Sequence, residues 1–402
     1  MIRKRDNKKV FRDPIYGYIN VEYDFISDLI DSNEFQRLRR IRQLSGVSMV
    51  FHGAEHSRFS HSIGVYGLAY KVLQEQQVIK NYLNEYEQVV FLTAALLHDI
   101  GHGPYSHSFE HVFALSHEAY SAKIISHSKG IASILDQVSE SLKEDVCSVI
   151  LKQGKFKIIE QLISSQLDVD RMDYLERDSY FTGAKYGNID KDRIIRMMTI
   201  KDDIIVFKEG AIHAIENYLI SRYHMYWQVY YHPVARSYEI ILEQIYLRML
   251  DLIKDKQLDD DYSLYLKNVI ENQEDITSYL ELDDYYVNGL IKRYRHHKDV
   301  ILNTLCNDFL DRHLFSYETI KDTSDERILE IKALVNDNNY FYKIDQVSQV
   351  TYLLNEFDIV INRINILMKD GEIKKLDQVS PIVKGLSVSG IKTDCKLFFR
   401  HV

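Results

Sequence analysis

Apolar residues recur at three- and four-residue spacing over most of the chain, so the first expectation is helix. Between 24 and 44 they fall at Phe25, Leu29, Ile30, Phe35, Leu38 and Ile41, close to the 3.6-residue period, and 61–79 and 85–98 repeat the pattern. Further helical periodicity covers 117–128, 131–138, 141–151, 157–181, 209–256 and 263–315. Two stretches differ. Segment 9–21 alternates apolar and polar residues around Pro14 and Gly17, and 193–207 sets Asp202-Asp203 between β-branched runs; both predict short hairpins. From about residue 338 strand patterns take over, at 340–344, 357–368 and 396–402, with Asp370-Gly371 as a hairpin turn. The expectation is a mainly α chain: a helical-bundle domain over 1–320 with short β-hairpins, then a small α+β C-terminal domain over 321–402.

Composition narrows the class of function. Sixteen glycines and four prolines are few for 402 residues, which argues against a turn-dense sandwich or a low-complexity linker. Three well-separated cysteines, Cys147, Cys306 and Cys395, exclude a disulfide scaffold and a Cys-rich zinc module. The polar, basic start and the lack of any long apolar run point to a cytoplasmic chain with no membrane span. A net charge of −9 makes it a poor generic binder of nucleic acid, although residues 37–42 (RLRRIR) form one local basic run suited to a small polyanion.

Chemistry concentrates between residues 52 and 117, where eight of the sixteen histidines fall: His52, His56, His61, His98, His102, His107, His111 and His117. Several are flanked by Asp or Glu, the ligand set of a divalent metal and also the usual acid/base pair. At the end of an apolar helical segment stands His98-Asp99-Ile100-Gly101-His102-Gly103. Adjacent residues on a regular helix diverge, but a helix end unwound at Gly101 and Gly103 lets His98 and Asp99 converge on one ion, and those glycines are expected to admit a phosphate to the backbone. His61, 37 residues before His98, and Asp170, 71 residues after Asp99, offer the same chemistry from other helices. Asp168 competes with Asp170, since only one of the two points inward. Asp170 has Tyr174 and Asp178 at i+4 and i+8 on its face.

This ordered set resembles the HD-domain superfamily of metal-dependent phosphohydrolases, and more closely its deoxynucleoside triphosphate triphosphohydrolases. The segments that carry the likeness are KVFRDPIYG (9–17), FQRLRRIRQL (35–44), residues 51–64, HDIGHGPYSHSFE (98–110), DVDRMDYLERD (168–178) and residues 222–232. The resemblance covers about residues 9–320, with a metal core over about 51–180. It implies metal ligands His61, His98, Asp99 and Asp170 for one divalent ion (Mg, Mn, Fe, Co or Zn), with further Mg accompanying the nucleotide. It implies a His107/Glu110 dyad acting at the α-phosphorus, His102 and His117 on the phosphates, Arg58 along the base, and Gln43, Leu44 and Asp178 around the sugar. Arg171, Tyr174, Arg222 and Tyr230 would complete the phosphate and sugar contacts. Tyr226 stands where the animal enzyme has a histidine, which leaves base preference open.

A second group, Asp31, Gln36 and Arg39 with Lys9, Val10 and Arg312, matches family positions that hold a guanine nucleotide at a subunit interface. The resemblance thus implies hydrolysis of dNTPs to a deoxynucleoside and tripolyphosphate, activated by dGTP or GTP in a homotetramer. Two alternatives remain at this point: an HD phosphohydrolase acting on a monophosphate, cyclic nucleotide or alarmone, and a nucleotide-sensing regulator without turnover.

Overall fold

Capping residues divide what the apolar period joins. The computed structural model describes residues 4–258, 260–349, 363–388 and 392–401. The run expected over 24–44 is interrupted at Ser32, whose hydroxyl accepts from Phe35 N at 3.3 Å and starts a new helix, Asn33–Arg37, behind Asp24–Asp31. The run over 157–181 becomes Lys157–Ile163 and Val169–Thr182, with Asp168 as the second N-cap. The run over 209–256 becomes Ile212–Met225, a π-helical turn Tyr226–Tyr230, and Pro233–Lys254. Asp275, Asp283 and Asp299 cap three of the four helices that replace 263–315. Each cap satisfies an orphan backbone N–H while the core-facing spacing continues across the break, so periodicity alone does not register it.

Strands β1 (Lys4–Asp13) and β2 (Gly17–Tyr23) form the first hairpin. β3 (Met198–Lys201) and β4 (Ile204–Lys208) form the second, turning at Asp202 and Asp203 with φ of 51° and 55°. The remaining strands are β5 (Ser316–Thr319), β6 (Tyr342–Gln349), β7 (Asn365–Leu367), β8 (Ile373–Lys375) and β9 (Lys392–Phe399). β7 and β8 turn at Gly371, whose φ is +91°. Of the strand expected over 357–368, residues 357–362 lie outside the described residues, as does Val402 at the end of the last expected strand.

Two sheets join the C-terminal region to the helices. β4 pairs in parallel with β7 in the order β3-β4-β7-β8, and β9 lies between β5 and β6. Ile364, Ile366, Leu376 and Phe398 belong to the same buried core as Leu96 and Met172, while Ile320, Ile328, Ile331, Leu397 and Phe399 form a small satellite. The result is a mainly α bundle with a small α+β region closed onto it. No helix among the described residues is long and apolar enough to cross a membrane.

Candidate active site

Three helices bring four polar side chains together, of which His61, Asp99 and Asp170 line one cavity. His61 lies in the first turn of Arg58–Glu75, His98 caps the end of Glu85–Leu97 with Asp99 directly after it, and Asp170 is in the first turn of Val169–Thr182. Asp170 Oδ1 is 3.0 Å from His61 Nε2 and 3.6 Å from His98 Nε2; Asp99 approaches His61 Nε2 at 3.6 Å and His98 Nε2 at 3.4 Å. Asp168 is turned away, accepting from Arg171 N and Ser165 N at 2.7 Å each as the helix cap.

The tautomers follow from the outer partners. His98 Nδ1 faces the Ala95 carbonyl at 3.0 Å, and a carbonyl only accepts, so Nδ1 carries the hydrogen and Nε2 is bare. That Nε2 is buried with no hydrogen-bond partner. His61 Nδ1 donates to Asp173 Oδ2 at 2.8 Å, which aims its Nε2 at Asp99 and Asp170. Bare imidazole nitrogens facing carboxylates repel unless a cation lies between them. Burial alone would lower the His61 imidazole, but Asp170 and Asp173 outweigh it and hold it up to about 10. A divalent ion meets the same demand, and two imidazoles with two carboxylates fit one, with an outer carboxylate orienting a ligand histidine.

Close packing builds the neighbouring cluster. A Cβ on Gly101 would stand 2.2 Å from both His117 O and Ser121 N. Gly101 N donates to Ser121 Oγ, which donates to His98 O, both at 2.9 Å, so helix His117–His127 seats directly on the His-Asp turn. Gly103 faces Phe109 in the same way. Both glycines thus make room for protein, not for the phosphate expected from the sequence. The seating stacks the His117 ring on His102, centroids 4.0 Å apart. Glu110 joins them: Oε1 accepts from His102 at 2.5 Å and Oε2 from His117 at 3.0 Å, with exposed His107 3.5 Å from Oε2. The carboxylate therefore orients His102 and His117 more closely than His107, its expected partner. Burial, the Arg58 charge and His117 push His102 down to about 4, whereas Glu110 raises His117 against its own burial. Burial disfavours charge on Glu110, yet its histidines hold it well below the usual carboxylate range.

Before helix His107–Phe113, Tyr105 and Ser106 take φ of 55° and 50°, a strained turn for side-chain-bearing residues. Two bonds hold it: Tyr105 N donates to Asp284 Oδ1 at 2.8 Å, and Ser106 Oγ accepts from Arg58 Nε at 2.8 Å. Arg58 NH1 lies on Asp99 at 2.5 Å, so this arginine is pinned at the ligand cluster instead of lying free along a base.

A cavity of about 670 Å³ opens over the cluster. The HD domain pattern matches residues 58–178, and the HD associated region matches 189–393. The chain belongs to the HD-domain family. It is 40% identical to the uncharacterized protein YwfO of Bacillus subtilis, over 98% of this chain and 93% of that one. It is 34% identical to the Dictyostelium discoideum homolog of deoxynucleoside triphosphate triphosphohydrolase SAMHD1, over 64% of this chain and 52% of the relative. For the human enzyme of that name the figures are 29%, 62% and 46%, so the chain spans about half the length of these two. A phosphohydrolase structure from Bacteroides thetaiotaomicron superposes with a TM-score of 0.86 at 29% identity, covering 98% of this chain and all of that one. This chain is thus a member of the HD-domain phosphohydrolase superfamily, distantly related to the SAMHD1-like enzymes, and its His61, His98 and Asp170 could hold a metal ion.

Of the other residues singled out from sequence, Gln43, Leu44, Tyr174, Asp178, Tyr226 and Tyr230 line the cavity. Asp178 bridges His56 Nε2 at 2.8 Å and the Tyr230 hydroxyl at 2.7 Å. Arg171 and Arg222 are not in the cavity wall: Arg171 Nε is bound to Asp168 at 3.2 Å, and Arg222 is half-buried, its Nε and NH1 atoms buried without a hydrogen-bond partner. Outside the cavity lining, Lys9 bonds Asp31 at 2.6 Å, Arg39 Nε bonds Gln36 Oε1 at 2.8 Å, and the Arg39 guanidinium lies 3.5 Å over the Phe59 ring. Val10 is half exposed. Arg312 donates NH2 to Met49 O at 3.1 Å.

Sequence reasoning passed over Asp173, Ser106 and a charged group on Pro233–Lys254 and β6 that also lines the cavity, and gave His56 no role beyond its place in the histidine cluster. Asp173 lies at i+3 from Asp170, so helical spacing could have found it. The β6 residues carry no local signal.

Proposed function

We propose that this HD-domain protein hydrolyses deoxynucleoside triphosphates to a deoxynucleoside and tripolyphosphate, with one divalent ion held by His61, His98, Asp99 and Asp170. A guanine nucleotide, dGTP or GTP, activates it as a homotetramer through Lys9, Val10, Asp31, Gln36, Arg39 and Arg312. The observation that carries the reading is a single cavity with a phosphate-suited cluster of histidines, carboxylates and Arg58 at its floor and Gln43, Tyr174, Tyr226 and Tyr230 on its wall. Similarity to the SAMHD1-like enzymes supports the substrate class.

A divalent ion bound there supplies Lewis acidity at a phosphate oxygen and eases loss of a proton from water. Arg58 and His117 place positive charge where the triphosphate gains negative charge, in a partly buried site where such charge counts for more than in bulk water. Glu110 holds the rings of His102 and His117, which keeps that charge aligned. Water adds to the α-phosphorus and releases its proton to solvent, the P–O5′ bond breaks, and the 5′-oxygen takes a proton from His107, which lies exposed in the cavity lining and recovers it from solvent. Asp173 orients His61, and Tyr230 with His56 fixes Asp178 at the sugar.

Anion-exchange product analysis tests this reading: each dNTP is incubated with Mn²⁺ or Mg²⁺, alone and with dGTP or GTP. Deoxynucleoside with intact tripolyphosphate, appearing on addition of a guanine nucleotide, is the expected result. Monophosphate with pyrophosphate, or no turnover in any mixture, overturns it.

A further inference from the structure

At the cavity end formed by helix Pro233–Lys254 and β6, five charged side chains interlock. Arg236 donates Nε and NH2 to Asp345 Oδ2 and Oδ1 at 3.0 and 2.9 Å, and NH1 to Glu239 Oε2 at 2.6 Å. Lys343 pairs with Glu243. Lys343 and Asp345 alternate on β6, so both face the helix from one side of the strand, and β9 fixes their register through Lys343↔Phe398 and Asp345↔Lys396. All five line the same cavity as His61, Asp99 and Asp170, and Glu239 also approaches Gly46 N at 3.4 Å, next to the Gln43–Leu44 wall.

Two cations face three carboxylates here. Glu243 is 5% exposed and the others 14–23%, so these charges are largely withdrawn from water. Burying paired ions contributes little net stability, which makes a purely structural reason for the group weak. The fork of Arg236 is spent on Asp345 and Glu239, and the ammonium of Lys343 is turned to Glu243. The three carboxylates carry about four acceptor sites each, more than the donors of Arg236 and Lys343 together can fill. This end repels a triphosphate and accepts hydrogens from an uncharged donor.

We propose that Arg236, Glu239, Glu243, Lys343 and Asp345 form a base-reading subsite that selects nucleobases bearing an exocyclic amino group. The inference rests on the dNTP reading above and deepens it. Adenine, cytosine and guanine each offer an amino group to a carboxylate. Thymine sets two carbonyl acceptors around its single N3–H, and those oxygens meet carboxylate oxygens. The paired cations hold the carboxylates in place, and the C-terminal strand thereby contributes to specificity from a region outside the HD motif.

The test is steady-state hydrolysis of dATP, dCTP, dGTP and dTTP with Mn²⁺, with and without GTP, by the full-length protein, Glu243→Gln and Asp345→Asn. In the wild type kcat/KM for the three amino-bearing substrates exceeds that for dTTP by about tenfold or more, the worth of one charge-assisted hydrogen bond. Each variant shrinks the ratio several-fold, chiefly through KM. Equal ratios in the wild type, or an unchanged ratio in a variant that folds by circular dichroism, overturn the subsite. Should neither variant fold, the wild-type ratio alone decides. If no dNTP is turned over, the hydrolase reading fails by itself, and calorimetric binding of deoxyadenosine against thymidine judges the subsite: preference for deoxyadenosine sustains it, equal or absent binding ends it.

Discussion

Replacing Asp173 by Asn probes how far the ligand cluster depends on what stands behind it. Asp173 is fully buried; Oδ2 accepts from His61 Nδ1 at 2.8 Å and Arg177 Nε at 2.9 Å, and Oδ1 from Arg177 NH2 at 2.9 Å. Arg177 is also fully buried and has one other anionic partner, Asp13 at 2.9 Å. The pair lies against the Arg58–Glu75 helix at Gly64, where a Cβ would meet Asp173 Oδ1 at 2.0 Å. An asparagine has one acceptor oxygen. Placed at Oδ2 it keeps His61 and Arg177 Nε but turns its own NH2 on Arg177 NH2; placed at Oδ1 it abandons His61. Either way a buried guanidinium loses a counter-charge and one donor bond, a class of change that costs about 3–5 kcal/mol. Loss of the carboxylate behind a ligand histidine costs a further 10- to 100-fold in metal affinity, by order of magnitude. Urea unfolding in excess chelator isolates the first effect, and equilibrium dialysis against Mn²⁺ measures the second. A stability loss below about 1 kcal/mol would refute the buried-pair argument. Unchanged metal affinity would refute the orienting role of Asp173.

His98→Ala and Asp170→Ala are expected to lose bound metal and turnover together, whereas His107→Ala keeps the metal and loses rate; metal content by plasma emission spectrometry separates the cases, and metal retained in both ligand variants removes the assignment. Asp284 accepts backbone N–H groups of Arg42 and Tyr105 at 2.9 and 2.8 Å, and burial pushes its carboxyl up to about 6. Its folded value lies above the unfolded one, so the contribution of Asp284 to stability is greatest below about pH 4 and falls by about 3 kcal/mol as pH rises through about 6. Urea midpoints at pH 4 to 7 should show that slope in the wild type and not in Asp284→Asn; parallel curves would count against it. Arg39→Ala breaks the bond to Gln36 and the contact over Phe59, and its dNTP turnover should no longer respond to added GTP or dGTP; a wild-type response would remove Arg39 from the effector site.

Sequence by itself determined the helical class, the three hairpin turns and the neighbourhood of the cluster, because each depends on local properties. Apolar period, turn residues with positive φ and the density of histidines survive in one dimension. His61, His98, Asp99 and Asp170 could be singled out because each stands in a short motif whose order along the chain can be read. Tertiary structure decided what those motifs touch. The room made by Gly101 is filled by the helix bearing His117, and only that contact sets His117 on Glu110 and draws the carboxylate toward His102, away from its helical neighbour His107. Asp168 differs from Asp170 because a helix begins between them, and the cap that starts it does not interrupt the apolar period. Lys343 and Asp345 reach the cavity through strand pairing with β9, some fifty residues further on. Such contacts depend on side-chain volume and on the register of distant strands, neither of which is encoded in the local pattern that predicts helices and turns.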